Sequence, residues 1–414
     1  MIADTSLYLF VTELRIGIQS LVEDGLPLLT NKRIGVVSNH TGVTSEFEHL
    51  VDVLYFKFYL NVKAVFAPEH GFRGDLPEGF SVESYVDDRT RLPVYSLYGA
   101  RLKPSKDILN ELDVLIYDIQ DVGARFYTYI STLFYVLEVA GETGVEVLLM
   151  DRPNPITGVR MEGPILDGRF RSFVGIWEIP VMHGMTVGEL ALLFNGEAGL
   201  NAKLKVYKLV GWSRRMWFDE TSLPWVPPSP NMPCLSTATV YPGTCLLEGT
   251  NISEGRGTTK PFELVGAPWI DGYKIVEELK ALPLKGVKFR PSTFIPRHGK
   301  YAGQLCHGLQ IHVTDRDVLE PVKLGLAIIW AAERLHPDKL QFNVKCYEDT
   351  LGCSVCGVGA SSIKPQARYY FDCLIGNDTI RKLIEEGCDF KEIARLCDEI
   401  ELFEKNRRKY LLYS

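Results

Sequence analysis

The sequence predicts a two-domain α/β protein, with a doubly wound, mostly parallel sheet first and a smaller α/β domain, partly antiparallel, behind it. Three observations carry that prediction. Short apolar runs alternate with amphipathic helical stretches through the first half of the chain, the pattern of βαβ units. Later strand-like runs instead alternate apolar and polar residues, as half-exposed antiparallel strands do. The 414 residues exceed what one domain usually holds, at roughly 100–200 residues each.

The first strand is read at Arg33-Ile34-Gly35-Val36-Val37-Ser38 and the second at Val62-Lys63-Ala64-Val65-Phe66-Ala67. A weaker third covers Leu92 to Leu97, and two more cover Asp113 to Asp118 and Val145 to Met150. Such β-branched, apolar runs suit strands buried on both faces. A helix is expected from Thr128 to Ala140. The first domain is placed at residues 1–165 and the second at 166–414, with a Pro-rich segment from Pro224 to Pro233 inside the latter. Half-exposed strands are read at Gly286 to Phe294 and Gly308 to Thr314, and helical patterns at Glu320 to Leu335 and Thr379 to Glu404.

Composition narrows the function. Hydrophobic residues make up 46% and charged residues 23%, a globular balance. The formal net charge is −7 and no Lys/Arg block stands out, so a nucleic-acid partner is not expected. No stretch approaches the ~18 apolar residues of a membrane helix. The N-terminus lacks the basic start of a secretory signal, which points to a cytoplasmic protein. The nine cysteines are an odd number, and Cys353 with Cys356 forms the one CxxC, without the second hook of a zinc site. No metal or cofactor is expected.

The chemistry should lie in the loops that follow the strands, because ligands of open α/β sheets bind at the carboxyl ends. These loops carry Asn39-His40-Thr41-Gly42, Pro68-Glu69-His70-Gly71-Phe72-Arg73-Gly74, Gln120-Asp121-Val122-Gly123-Ala124-Arg125-Phe126-Tyr127 and Asp151-Arg152-Pro153-Asn154. Glu69 is the leading catalytic carboxylate; otherwise it caps a helix or pairs with Arg73. His70 beside it could orient the carboxylate or bind a sugar hydroxyl. Glycoside cleavage commonly needs two carboxylates, and Asp121 or Asp118 could supply the second unless it caps the following helix. Arg125 could hold a substrate carboxylate or neutralise Asp121. Thr186 and Glu189 have capping-box spacing and read as structural, which leaves His183 open. In the second half, Asn231, Glu248, Asn251, Glu254 and Arg256 belong to Gly/Thr/Asn-rich segments that suggest a polar rim over a ligand.

The motifs PEHGFRG (68–74), YDIQDVGARFYTYISTL (117–133), DRPNPITG (151–158), EGP (162–164), HGMTVGELA (183–191), PSPNMP (228–233), YPGTCLLEGTNISEGRGTTKPFE (241–263) and GAPW (266–269) resemble the exo-β-N-acetylmuramidase (NamZ-like) family. This glycoside hydrolase family was long catalogued as a domain of unknown function. The resemblance implies a Rossmann-like N-terminal domain, a smaller α/β C-terminal domain and a site in the cleft between them. It also implies release of terminal N-acetylmuramic acid from the non-reducing end of peptidoglycan fragments, with the glutamate of the EHG motif at Glu69. The lactyl carboxylate of that sugar calls for an Arg, and Arg73, Arg125 and Arg256 are the candidates. Many relatives are exported, whereas this chain shows no leader.

Glu69, His70 and Asp121 are therefore expected to be catalytic. Asn39, Arg73, Asp118, Gln120, Arg125, Tyr127, Asn154, His183, Asn231, Glu248, Asn251, Glu254 and Arg256 are expected to bind a peptidoglycan-derived saccharide. Two rival readings are a metal-dependent hydrolase such as a deacetylase, using His70, His183 and Asp residues, and a non-catalytic muropeptide-binding protein.

Overall fold

The computed structural model describes residues 14–75, 83–347 and 366–414; Cys353 and Cys356 lie outside them. The main sheet contains β1 (Ile34–Ser38), β2 (Val62–Ala67), β3 (Tyr85–Val86), β4 (Pro93–Ser96), β5 (Val114–Asp118), β6 (Glu146–Met150) and, after a short two-stranded sheet of β7 (Glu162–Ile165) and β8 (Pro180–Met182), β9 (Lys203–Tyr207). Its order is β3-β4-β2-β1-β5-β6-β9. All neighbours are parallel except β3 and β4, which are antiparallel.

Alternation along each strand explains why the sheet is covered on both faces. Val37, Leu115, Tyr117, Val147 and Leu149 enter one apolar cluster, while Ile34, Val36, Val114, Ile116, Leu148 and Met150 enter the other. Each such buried side chain contributes ~1.5–3 kcal/mol, so two-sided burial fixes the register of the central strands. The helix Tyr129–Thr143 is buried from Tyr129 through Ala140 and ends at Gly144, whose φ of 76° supplies the left-handed turn.

β9 pairs with β6, so the sheet runs on past residue 165, where the sequence places the end of the first domain. The strand escapes a sequence reading because Lys203-Leu204-Lys205-Val206 alternates charge with apolar residues at an edge of the sheet. Behind it, β10 (Leu264–Ala267), β11 (Val287–Phe294) and β12 (Cys306–Val313) form an antiparallel sheet ordered β10-β12-β11, which agrees with the half-exposed patterns. The helix Pro321–Leu335 begins within one residue of its expected start, whereas the pattern at 379–404 divides into the helices Thr379–Glu385, Phe390–Arg395 and Glu401–Arg407.

The topology places the site. From β1 the chain steps outward through β2 and β4, then returns to β5 and steps the other way through β6 and β9. The loops after β1 and β5 therefore diverge at a switch point and leave a crevice at the carboxyl edge.

Candidate active site

A cleft of about 470 Å³ opens there, within the range of small-molecule sites. One wall comes from the strand-end loops and carries Glu69, His70, Phe126, Tyr127, Thr128 and Tyr129. The facing wall comes from the second half and carries Tyr241, Glu248, Glu254, Arg256, Lys300, Lys345 and Tyr370.

Glu69 reaches the cleft because the chain turns sharply at the end of β2. The Gly71 amide donates to the Pro68 carbonyl at 3.2 Å, and His70 and Gly71 adopt φ of 73° and 78°. A left-handed histidine costs on the order of 1 kcal/mol and persists where its surroundings enforce it; His70 is buried. Thr128 occupies the N-cap position of the helix Tyr129–Thr143, yet its hydroxyl makes no capping bond. It donates instead to Glu69 Oε2 at 3.2 Å, so a group that ordinarily stabilises the helix here orients the carboxylate.

Behind Glu69 lies an aromatic floor. Tyr127 and Tyr129 meet edge to face at 4.9 Å, and the Tyr129 hydroxyl donates to the Pro228 carbonyl at 2.6 Å. Burial, with the charges of Glu69 and Asp121 nearby, pushes both phenols above their ordinary range and keeps them neutral.

The facing wall is a charge network. Arg256 Nη1 donates to Glu248 Oε1 at 2.5 Å and to Glu254 Oε1 at 3.4 Å, while Lys300 donates to Glu254 Oε2 at 3.1 Å. Lys300 is also held by the carbonyls of Leu247 and Ile252. Burial pushes the Glu248 carboxyl up, but the charge and hydrogen bond of Arg256 outweigh it and the net direction is down.

Six of the sequence-predicted residues therefore meet at this cleft: Glu69, His70, Tyr127, Glu248, Glu254 and Arg256. The other ten are not among the cleft-lining residues, and their hydrogen bonds show what holds them. Arg73 is tied to Asp52 and Asp87 and stacks on Phe72. Asp118 is sealed in a pair with Arg152, at 2.9 Å for one of its two bonds. Gln120 donates to the carbonyls of Asp121 and Pro153. Asp121 is buried, accepts from the Gly123 amide at 2.7 Å and lies 3.5 Å from His183 Nε2; it braces its own loop and does not cap the following helix, which starts at Tyr129 with Thr128 at the N-cap position. His183 is fully buried and accepts from the Met185 amide. Arg125, fully buried, donates to the carbonyls of Pro164, Ile179 and Leu374, and burial lowers its guanidinium to about 9.

Three of the asparagines, Asn39, Asn154 and Asn251, are tied through their side chains to main-chain groups. Asn39 accepts from the Thr41 amide and hydroxyl. Asn154 donates to the Met185 carbonyl and packs against Gly123, where a Cβ would stand 2.6 Å from its Oδ1. Asn251 joins Lys339 to Gln341, and Asn231 is buried beside Ser229. A loop full of polar residues looks functional in sequence, but turning a chain at a sheet edge consumes most of them in pairing backbone groups. The capping box of Thr186 and Glu189 forms as read.

Sequence reasoning missed Thr128, Tyr129, Tyr241, Lys300, Lys345 and Tyr370. Tyr129 and Tyr241 lie inside the quoted motifs but look like core aromatics, and nothing local marks Lys300 or Lys345. Among the described residues no three His, Cys, Asp or Glu side chains converge as a metal site would require, and no helix is long and apolar enough to cross a membrane.

Comparison with known proteins agrees with this architecture. Residues 34–236 match the N-terminal model of the exo-beta-N-acetylmuramidase NamZ, and residues 239–413 match its C-terminal model. The peptidoglycan beta-N-acetylmuramidase NamZ of Bacillus subtilis (strain 168) is 46% identical over 398 residues, which span 96% of this chain and 91% of that one. Two crystal structures of DUF1343 family proteins from Bacteroides fragilis superpose with TM-scores of 0.85 and 0.75, at 33% and 34% identity, each covering 97% of this chain and 99% of the other. With both halves matched in order and nearly the whole length aligned, the chain belongs to the exo-β-N-acetylmuramidase NamZ family of glycoside hydrolases.

Proposed function

We propose that the protein releases terminal N-acetylmuramic acid from the non-reducing end of peptidoglycan fragments, with Glu69 as general acid and base. The observation that carries this reading is the position of Glu69. It is the carboxylate that the strand-end loops bring to the cleft, on an enforced turn and oriented by Thr128. A general acid must reach the bond it protonates, and this geometry supplies that reach.

In the first step the Glu69 carboxyl proton passes to the glycosidic oxygen as the bond to the anomeric carbon breaks. Asp121 is buried beneath the tyrosine floor, so it is poorly placed as nucleophile. Glu248 and Glu254 are engaged by Arg256 and Lys300. That arrangement favours attack by the substrate's own acetamido oxygen on the anomeric carbon, giving a cyclic oxazolinium. Water then opens the ring, with Glu69 taking the proton. The aromatic residues around the cleft suit the apolar faces of a sugar ring.

The test is turnover of a chromogenic N-acetylmuramide beside its N-acetylglucosaminide, with Glu69→Gln in parallel. Release from the muramide by the parent, reduced about 10²–10⁴-fold in the variant at unchanged thermal stability, is the expected result. A parent enzyme that binds muramides without turnover would instead support a binding protein. Under the proposed route an N-trifluoroacetyl muramide, whose carbonyl oxygen is a weaker nucleophile, turns over more slowly than the N-acetyl substrate.

A further inference from the structure

The charge network on the second wall distinguishes its cations from one another. Arg256 is drawn to Glu248 and Glu254, and Lys300 is fixed by Glu254 and two backbone carbonyls. Lys345 differs. It extends from the short strand Val344–Tyr347, its ammonium lies 3.4 Å from the centroid of the Tyr370 ring, and it lines the cleft. Among the described residues no carboxylate lies within ion-pair distance of it; Tyr370, which holds it from below, donates to Glu248 at 3.5 Å.

We propose that Lys345 is a specificity-determining residue that pairs with the lactyl carboxylate of the muramic acid ring, with Tyr370 as its platform. This rests on the function proposed above and deepens it. N-acetylmuramic acid differs from N-acetylglucosamine by that one lactyl ether, which adds an anionic group. A wall that selects the first sugar must therefore present a cation not already neutralised by the protein. Arg73 and Arg125 are excluded by position, since one is bound to two aspartates and the other is buried among carbonyls. Arg256 already has two glutamates to neutralise. Partial desolvation in the cleft wall lowers the Lys345 ammonium from its ordinary value, Glu248 acting against that, and Lys300 and Arg256 add to the lowering. An incoming anion would relieve that repulsion, because three cations on this wall face only two carboxylates.

The experiment compares the parent with Lys345→Met and Lys345→Arg on two chromogenic substrates: N-acetylmuramide with the free lactyl acid, and the same compound with the acid converted to its methylamide. Lys345→Met is expected to lose about ten- to a hundredfold in kcat/KM on the free acid, mainly through KM, as befits a hydrogen-bonded ion pair. The loss on the methylamide is expected to be at least about tenfold smaller, and Lys345→Arg to recover part of the free-acid activity. Equal losses on both substrates would overturn the proposal, since a merely structural lysine would not sense the charge of the lactyl group. So would a Lys345→Met enzyme that matches the parent on the free acid. A parent that cleaves neither compound would refute the proposed function itself, which is a different outcome.

Discussion

The two walls of the cleft use polar residues in opposite ways. On the first wall Arg152, Arg125, Gln120 and Asn154 turn inward, to Asp118 or to backbone carbonyls, and few groups besides Glu69, His70 and Thr128 present polar atoms to the cleft. On the second wall Glu248, Glu254, Arg256, Lys300 and Lys345 all line the cleft as one charged array. A general acid must be held in place to within a fraction of an ångström, so its wall is made rigid. A charged ligand is recognised at longer range by field and complementarity, so its wall can keep charges at the surface. Under the function proposed above, the contrast would give chemistry to the first wall and selection to the second.

The strongest way to break the contrast is to loosen the first wall. Arg125→Ala would leave the carbonyls of Pro164, Ile179 and Leu374 unpaired in the interior, at a cost of about 3–5 kcal/mol. These carbonyls come from segments far apart in the sequence, one of them at the cleft-lining Leu374, so the unfolding midpoint in urea should fall sharply. A change below about 1 kcal/mol would mean that the wall is held some other way.

A smaller change sharpens the same comparison. Thr128→Val keeps the shape of the side chain and deletes the hydroxyl that orients Glu69. Because that hydroxyl makes no helix cap, stability should stay within about 0.5 kcal/mol, while kcat falls about tenfold. Thr128→Ser should recover most of the rate. Loss of stability without loss of rate would return Thr128 to an ordinary helix-capping part.

Much of this was legible in the sequence, and unevenly. Apolar runs such as Val36-Val37 and Leu115-Ile116 announce strands buried on both faces, and the loops after them announce the ligand edge. Glu69 could be singled out because a carboxylate on a glycine turn at a strand end has few structural uses. Asp121 and His183 remain open as catalytic groups in the sequence, yet 0–4% exposure and a 3.5 Å approach show them buried together. A period-two pattern gives the face of a strand residue, whereas a loop residue's direction depends on backbone turns that no periodicity encodes. Lys300 and Lys345 were invisible for a different reason. They reach the cleft through tertiary contacts with residues tens of positions away in the sequence, and a lone lysine carries no local mark.

The least conspicuous expected effect concerns the joint between the walls. Glu162 in β7 accepts the amides of Val322 and Lys323, at 3.2 and 2.8 Å, and so caps the helix Pro321–Leu335. Burial pushes its carboxyl up to about 7, and that of Asp151, bonded to Gly188, Thr186 and Tyr413, likewise to about 7. Both folded values lie above the unfolded ones, so folding favours the protonated acid. Their contribution is fully present below the ordinary carboxyl range and is lost as pH rises through 7. His49, beneath the first wall, runs the other way: burial lowers it to about 4, so its contribution is present above its ordinary 6.5 and lost as pH falls toward 4. Urea midpoints from pH 5 to 8 should therefore decline in the parent by up to about 1 kcal/mol per pH unit and decline less steeply in Glu162→Gln, which keeps an acceptor but cannot ionise. An unchanged slope in that variant would show that Glu162 is already ionised at pH 5. The amides of Val322 and Lys323 would then be bound to a carboxylate, and the joint would be an anion at a helix N-terminus.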